Sequence, residues 1–251
     1  MPHKPRKRFG QNFLVDQQII NQIVSTISPK KNDHIIEIGP GKGALTFPLI
    51  DYLENIHVIE IDRDLIALLQ KKNNIKITIH ESDALVFNFD QFKQKVRIVG
   101  NLPYNISSPL LFHLLNYRDN IIDMTFMLQK EVVDRIVAPP GSKVYGRISV
   151  IMQTFFDTEL MFFVPKESFD PQPKIESAIL YLKTKKQPLV QNSKPLEEIV
   201  KIAFAQRRKT LKNCLKSVLN QSQTDIDLSQ RAEMLSAENF VTLMNDYEKQ
   251  N

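Results

Sequence analysis

A chain of 251 residues, 42% of them apolar, is long enough to bury one large core with a smaller one beside it. Its 24% charged residues are ordinary for a soluble protein, and no apolar run approaches the roughly 18 residues of a transmembrane helix, so no membrane span is expected. A formal net charge of +5 leans toward polyanionic partners, and the lone Cys214 excludes an internal disulfide or a cysteine-based metal cluster, which fits a reducing, cytoplasmic location.

The chain opens with "MPHKPRKRFG", basic through Lys4, Arg6, Lys7 and Arg8 but without the apolar stretch of a secretory signal. Apolar spacing in "VDQQIINQIVSTI" predicts a helix from about residue 15 that stops before Pro29. Short β-type runs then alternate with amphipathic stretches: "HIIEI" (34–38), "IHVIEI" (56–61), "KITIH" (76–80), "VRIVG" (96–100) and "DMTFML" (123–128). This alternation predicts an α/β fold with a mainly parallel sheet covered on both faces. "ELMFFV" (159–164) and "SAILYLK" (177–183), with a Pro-rich loop between them, read as a closing pair that brings in an antiparallel strand.

A polar linker with two prolines at 184–195 leads into purely helical patterns. The predicted division is therefore 1–186, with a basic segment at 1–14, and a small all-α domain at 187–251. There "LEEIVKIAFAQRRKTLKNCLKSVL" reads as helical throughout. Cys214 falls on an apolar line with Phe204, Leu211, Leu215 and Val218, and Lys201, Arg208 and Lys212 on an opposite basic stripe.

"EIGPGKGALT" (37–46) follows a strand and opens a helix. Gly39, Gly41 and Gly43 permit a tight turn and close backbone approach to a ligand. The pattern also meets G-x-G-x-x-A through Ala44, so the loop alone leaves a dinucleotide reading open. Glu60 ends the next strand, where a carboxylate can accept from both hydroxyls of a ribose; the competing reading is a polar strand end with Asp62 as a helix cap. Asp83, just after the third strand, can accept the amino hydrogens of an adenine, and Glu37 can balance a cation. Such acids suit the sulfonium of S-adenosylmethionine better than the phosphates of NAD.

"NLPY" at 101–104 follows the fourth of these strands. Asn101 offers a side-chain carbonyl, Leu102 and Pro103 backbone carbonyls, and Tyr104 a flat ring. Two acceptors on the N–H bonds of an adenine amine favour a pyramidal nitrogen whose lone pair points at a sulfonium methyl, while stacking on Tyr104 holds the base. "SSP" at 107–109 then reads as a helix start with Ser108 as its cap.

These residues resemble the ribosomal RNA adenine N6,N6-dimethyltransferases over almost the whole chain. The likeness runs in order through "GQNFL" (10–14), "EIGPGKGALT", "VIEID" (58–62), "SDAL" (82–85), "NLPYNISSPLLFHLL", "MLQKEV" (127–132), "YGRISV" (145–150), "FDPQPKIESA" (169–178) and "FAQRRKTLKN" (204–213). Departures are slight: Ile175 and Ile148 stand where Val and Leu are expected.

The resemblance implies a Rossmann-like class I methyltransferase sheet, mostly parallel with one antiparallel strand, plus the helical C-terminal domain. It implies S-adenosylmethionine as methyl donor, no metal, and dimethylation of two adjacent adenosines in a hairpin loop near the 3′ end of 16S ribosomal RNA. The 30S particle would be the substrate, with a role in ribosome biogenesis. Donor contacts would fall on Asn12, Leu14, Gly39, Glu60, Asp83 and Asn101. Catalysis would centre on Asn101, Leu102, Pro103 and Tyr104, with Phe169 as a second aromatic wall; read by itself, Phe169 is a loop anchor beside two prolines. Lys4, Arg6, Lys7, Arg8, Lys201, Arg207, Arg208, Lys209 and Lys212 would meet RNA phosphates. A cytoplasmic monomer without a membrane partner is expected. Three other readings stand beside this one: the macrolide-resistance methyltransferases of large-subunit RNA, an inactive RNA-binding protein on the same fold, and a nicotinamide oxidoreductase.

Overall fold

The computed structural model describes residues 12–249. They form two compact units. One takes in the chain up to Val133 together with Glu159–Thr184; the other takes Asp134–Thr158 with the chain from Lys185 onward. Residues 134–158 thus fold with the C-terminal helices, whereas the sequence placed a single boundary at 186/187.

In the first unit a short strand β1 (Phe13–Leu14) leads into helix α1 (Gln17–Ile27). Asp16 caps α1 by accepting from the Gln18 and Ile19 amides at 2.9 and 3.3 Å, and Ile20, Ile23, Val24 and Ile27, at helical spacing, are all buried. Strands β2 (Ile35–Ile38), β3 (Ile56–Glu60) and β4 (Ile77–Glu81) then alternate with α2 (Thr46–Ile50) and α3 (Arg63–Gln70). Asp62 is the cap of α3, accepting from the Asp64 amide.

The chain runs outward from β2 through β3 to β4, then returns to add β5 (Val96–Asn101) on the other side of β2. That reversal opens a crevice at the carboxyl ends of β2 and β5, where open α/β sheets take ligands. Helix α4 (Ser107–Leu115) and β6 (Ile121–Gln129), parallel to β5, follow; α5 spans Lys130–Val137 and α6 Arg147–Phe155. Strands β7 (Phe156–Val164), β8 (Phe169–Asp170) and β9 (Ser177–Thr184) complete the unit.

The order across the main sheet is β4-β3-β2-β5-β6-β9-β7, with β9 antiparallel to β6. This is the expected α/β architecture, mostly parallel with an antiparallel addition. One feature was not expected. β1 and β8 form a separate antiparallel ribbon, with Leu14 opposite Phe169 and Phe13 opposite Asp170.

The second unit has its own apolar core, including Val150, Phe155, Leu196, Val200, Leu211, Leu215 and Phe240. Its later helices are α7 (Ser193–Ala203), α8 (Leu211–Leu215) and α9 (Ala237–Glu248). The predicted continuous helix is interrupted. Phe204 ends α7 with its ring stacked on Phe240 at 5.6 Å, and the chain turns until Thr210, extended at φ −73 and ψ 159, starts α8. Lys201 therefore sits on α7, Arg208 in the turn and Lys212 on α8, so the three do not share a helical stripe. Cys214 is only half-buried, its thiol 3.8 Å from the Gln206 carbonyl, while Leu211 and Leu215 supply the packing. Ser108 is not a cap either: α4 starts at Ser107, whose hydroxyl donates back to the Pro103 carbonyl at 3.1 Å. Among the described residues no helix is long and apolar enough to cross a membrane.

Candidate active site

Two glycines shape the turn after β2. Gly39 (φ +68) and Gly41 (φ +59) lie in the left-handed region, and a Cβ on Gly41 would press on the Phe13 ring at 3.3 Å. Above this turn opens a cavity of about 290 Å³. It collects most of the residues singled out from the sequence: Asn12, Leu14, Gly39, Glu60, Asp83 and the run Asn101–Tyr104. Glu37 lines it as well.

One end of the cavity carries three carboxylates. Glu37, at the third position of β2, is fully buried and accepts from Thr46 Oγ1 at 2.5 Å; burial pushes its carboxyl up to about 7, the Thr46 bond lowers it in part, and the nearby Glu60 charge adds to the rise. Glu60 Oε1 accepts from the amides of Ile61 and Asp62, both at 2.9 Å, and Oε2 takes only a long contact from the Gly41 amide at 3.4 Å. Burial raises its pKa against these bonds. Oε1 is thus committed to the backbone, and Oε2 is the oxygen with capacity for further donors. Asp83 Oδ1 holds the Leu85 amide at 2.9 Å. Three acids and one lysine, Lys42, line the cavity among the described residues, a lining suited to a cationic ligand and opposed to a pyrophosphate.

At the other end, Asn101 Nδ2 donates to the Asn12 carbonyl at 3.1 Å. A carbonyl only accepts, so this bond fixes which way the Asn101 amide faces and leaves Oδ1 without a hydrogen bond among the described residues. The Pro103 carbonyl is occupied twice, by the Ile106 amide and by Ser107 Oγ, both at 3.1 Å. Pro103 therefore stiffens the turn and does not offer an acceptor. The Leu102 amide is tied to the Met127 carbonyl at 3.2 Å, while its own carbonyl accepts nothing among the described residues. Tyr104, half-buried, places its hydroxyl 3.0 Å from Ser177 Oγ; burial raises its pKa and the Ser177 bond lowers it in part.

Phe169 is not brought to the cavity. It is 3% exposed and sits in the apolar cluster with Leu14, Val164 and Ile179, because β8 pairs with β1 and turns the ring into the core. There it packs in the ribbon beside Leu14, next to Asn12 and Phe13. Lys4, Arg6, Lys7 and Arg8 lie outside the described residues. Lys201, Arg207, Arg208, Lys209 and Lys212 are exposed in the second unit, where the Arg207 guanidinium donates to the Lys143 carbonyl. Sequence reasoning missed Phe13, whose ring covers Gly41 and takes the Lys42 ammonium 4.3 Å from its centroid. It also missed Ser177, which reads as an ordinary polar strand residue. Among the described residues no group of three or more His, Cys, Asp or Glu side chains is placed to hold a metal ion.

A family model described as ribosomal RNA adenine dimethylase matches residues 2–249. The chain is 49% identical to the Ribosomal RNA small subunit methyltransferase A of Nitrosospira multiformis, over 99% of this chain and 98% of that one. It is 52% identical to the protein of the same name from Saccharophagus degradans, over 97% and 94%. Among solved structures, a dimethyladenosine transferase from Plasmodium falciparum has a TM-score of 0.83 at 24% identity, covering 95% of this chain and 98% of that one. The 23S rRNA methyltransferase ErmE has a TM-score of 0.76 at 23% identity, covering 94% and 100%. Both likenesses are of fold.

Proposed function

The chain belongs to the ribosomal RNA adenine dimethylase family, and we propose that it uses S-adenosylmethionine to dimethylate N6 of two adjacent adenosines in a hairpin loop near the 3′ end of 16S ribosomal RNA, within the small ribosomal subunit. The observation that carries this reading is the locked Asn101 amide. With Nδ2 held by Asn12 and the Pro103 carbonyl already bonded twice, Asn101 Oδ1 and the Leu102 carbonyl are the acceptors left for the two N–H bonds of an exocyclic amine.

The donor supplies an electrophilic methyl on a sulfonium. Around it, Glu37 balances positive charge, Glu60 Oε2 meets ribose hydroxyls, and Asp83 accepts from the adenine amine, with Gly39, Asn12 and Leu14 shaping the walls. On the acceptor side Asn101 and Leu102 draw the amine hydrogens and favour a pyramidal nitrogen. With S-adenosylmethionine bound, the lone pair of that nitrogen would be aimed at the donor's methyl, so that an N–C bond could form as the C–S bond gives its electron pair to sulfur. The surplus proton leaves to water after that bond has formed, so no side-chain base is needed. Tyr104 holds the base by stacking, worth about 1–3 kcal/mol. The target base must first leave its own stack, at a cost of a few kcal/mol that is smaller in a loop.

Phosphate contacts offset part of that cost. We assign them to Lys201, Arg207, Arg208, Lys209 and Lys212 in the second unit and to Lys4, Arg6, Lys7 and Arg8. One chain carries every group named here, and we take it to act as a monomer in the cytoplasm. Labelled S-adenosylmethionine, given with unmethylated small subunits or with large subunits and followed by nucleoside mass spectrometry, tests the reading. Dimethyladenosine at two adjacent positions of small-subunit RNA is expected. Label on large-subunit RNA, or monomethyladenosine as the end product, would overturn it.

A further inference from the structure

The hydroxyl of Tyr104 is held from the antiparallel strand of the sheet, by Ser177 Oγ at 3.0 Å. Ser177 is fully buried and is the first residue of β9, opposite Gln129, the last residue of β6. Because β9 runs antiparallel to β6, its first residue arrives at the edge where the parallel strands end. Asn101, the last residue of β5, pairs with Met127 on the same stretch of β6. Ser177 does not line the cavity; Tyr104 does. Any effect of Ser177 on a bound base therefore passes through the tyrosine ring.

We propose that Ser177 is a positioning residue whose hydroxyl fixes the tilt of the Tyr104 ring, and that this bond matters more for the second methyl transfer to a given adenine than for the first. The inference rests on the reading of Asn101 and Tyr104 given above. In the first transfer the amine offers two N–H bonds, one to each acceptor, and both orient the base. Once one hydrogen has become a methyl, a single N–H remains and one acceptor has lost its grip. The stack on Tyr104 then carries a larger share of the alignment. Displacements of the reacting groups are costly in rate, so a ring released from Ser177 penalises the second step more. Removing the Ser177 oxygen also leaves a half-buried tyrosine hydroxyl without its partner, which drives the ring toward another rotation.

The test uses the full-length protein, unmethylated small subunits and S-adenosylmethionine, with mono- and dimethyladenosine quantified over time. Ser177→Ala, Tyr104→Phe and the double variant are compared with the wild type, and calorimetry with the methyl donor checks the Ser177→Ala cavity. Each single variant is expected to slow the second transfer roughly threefold to tenfold relative to the first, so that monomethyladenosine accumulates. The donor Kd of Ser177→Ala stays at the wild-type value. The double variant is no worse than either single one, because both remove the same bond. An unchanged mono-to-dimethyl ratio, or additive losses in the double variant, would overturn the proposal. Tyr104→Phe deletes the bond while leaving Ser177 in the core, so its ratio decides the matter even if Ser177→Ala fails to fold. A wild-type protein that methylates no adenine would instead sink the reading of the site, a distinct outcome.

Discussion

The two ends of the cavity are built in opposite ways. At one end, the three carboxylates come from one continuous stretch, in which three successive strand–loop units carry Glu37, Glu60 and Asp83 to the carboxyl edge of the sheet. The acceptor end joins three stretches far apart in the chain. Asn101 bonds to the Asn12 carbonyl, Leu14 pairs with Phe169, and Tyr104 reaches Ser177. The acidic end is therefore a local property of the fold, whereas the setting of Asn101 and Tyr104 depends on long-range pairing; on the proposed function, the first serves the donor and the second the base. Substitutions at the acceptor end should change the rate of transfer with little effect on donor affinity, and those at the donor end the reverse.

The largest effect is expected from Asn101→Ala, which removes one acceptor and the tether to Asn12 together. By analogy with the loss of one preorganised hydrogen-bonding group, the single-turnover rate should fall on the order of 100-fold or more. Donor affinity, measured by calorimetry, should change far less. A Kd that rose in step with the lost rate would show that the ends are not separable. Glu60→Gln probes the other side. It keeps the shape of the side chain but removes the charge that three backbone amides share and that, on the proposed function, meets the ribose hydroxyls. Donor Kd should weaken about 10- to 100-fold, the scale of a charge-assisted hydrogen bond, while kcat at saturating donor changes little.

The same asymmetry governed what could be read from the sequence. Glu37, Glu60 and Asp83 were legible as a set because the first two lie near the ends of short β-type runs and the third just past one, which places them at one edge of a parallel sheet. Asn101–Tyr104 were legible as a motif, but their division of labour was not. Only the structure reveals that the Pro103 carbonyl is spent on Ile106 and Ser107, and that Asn12 sets the Asn101 amide. The burial of Phe169 was not legible because it follows from pairing with β1, far away in the chain, and a two-residue strand leaves no periodic signal. The turn at 204–210 was hidden for a related reason. "FAQRRKT" contains no Gly or Pro, and the chain bends where Phe204 meets Phe240, a contact between distant helices; Thr210 as a helix start was the sole local sign.

A smaller and more diagnostic effect concerns pH at the donor end. Glu37 is ionised only above about pH 7 because burial disfavours its charge. Its pKa is raised on folding from the ordinary carboxyl value of 4.5, so its protonated form favours the fold. That contribution is full below the unfolded value and is lost as pH rises through about 7, a swing of roughly 3 kcal/mol. A cationic donor reverses the preference by stabilising the carboxylate. Binding at about pH 6 should therefore release close to one proton, seen in calorimetry as a heat that depends on buffer ionisation enthalpy, and at about pH 8.5 almost none. Donor affinity rises with pH across this window. Glu37→Gln should abolish both effects; a pH-independent wild-type affinity would mean that Glu37 does not meet the positive charge.

The smallest effect sharpens the comparison most. Phe169→Leu swaps one buried apolar side chain for another at a position only 3% exposed, and leaves the backbone pairing with Leu14 intact. As an anchor of the β1–β8 ribbon, Phe169 would tolerate this at a cost below about 1.5 kcal/mol of stability, with methylation within about threefold of wild type. As a stacking wall it could not, because a leucine has no π-face and a lost stack costs about 1–3 kcal/mol per base. Tyr104→Leu provides the calibration, since Tyr104 lines the cavity and Phe169 does not. Comparable losses in the two variants would require the ribbon to open and present Phe169 to the base, joining the N-terminal segment to the catalytic step. A loss confined to Tyr104→Leu would leave one aromatic face at the acceptor end and make the ribbon a scaffold for Asn12, through which Asn101 is set.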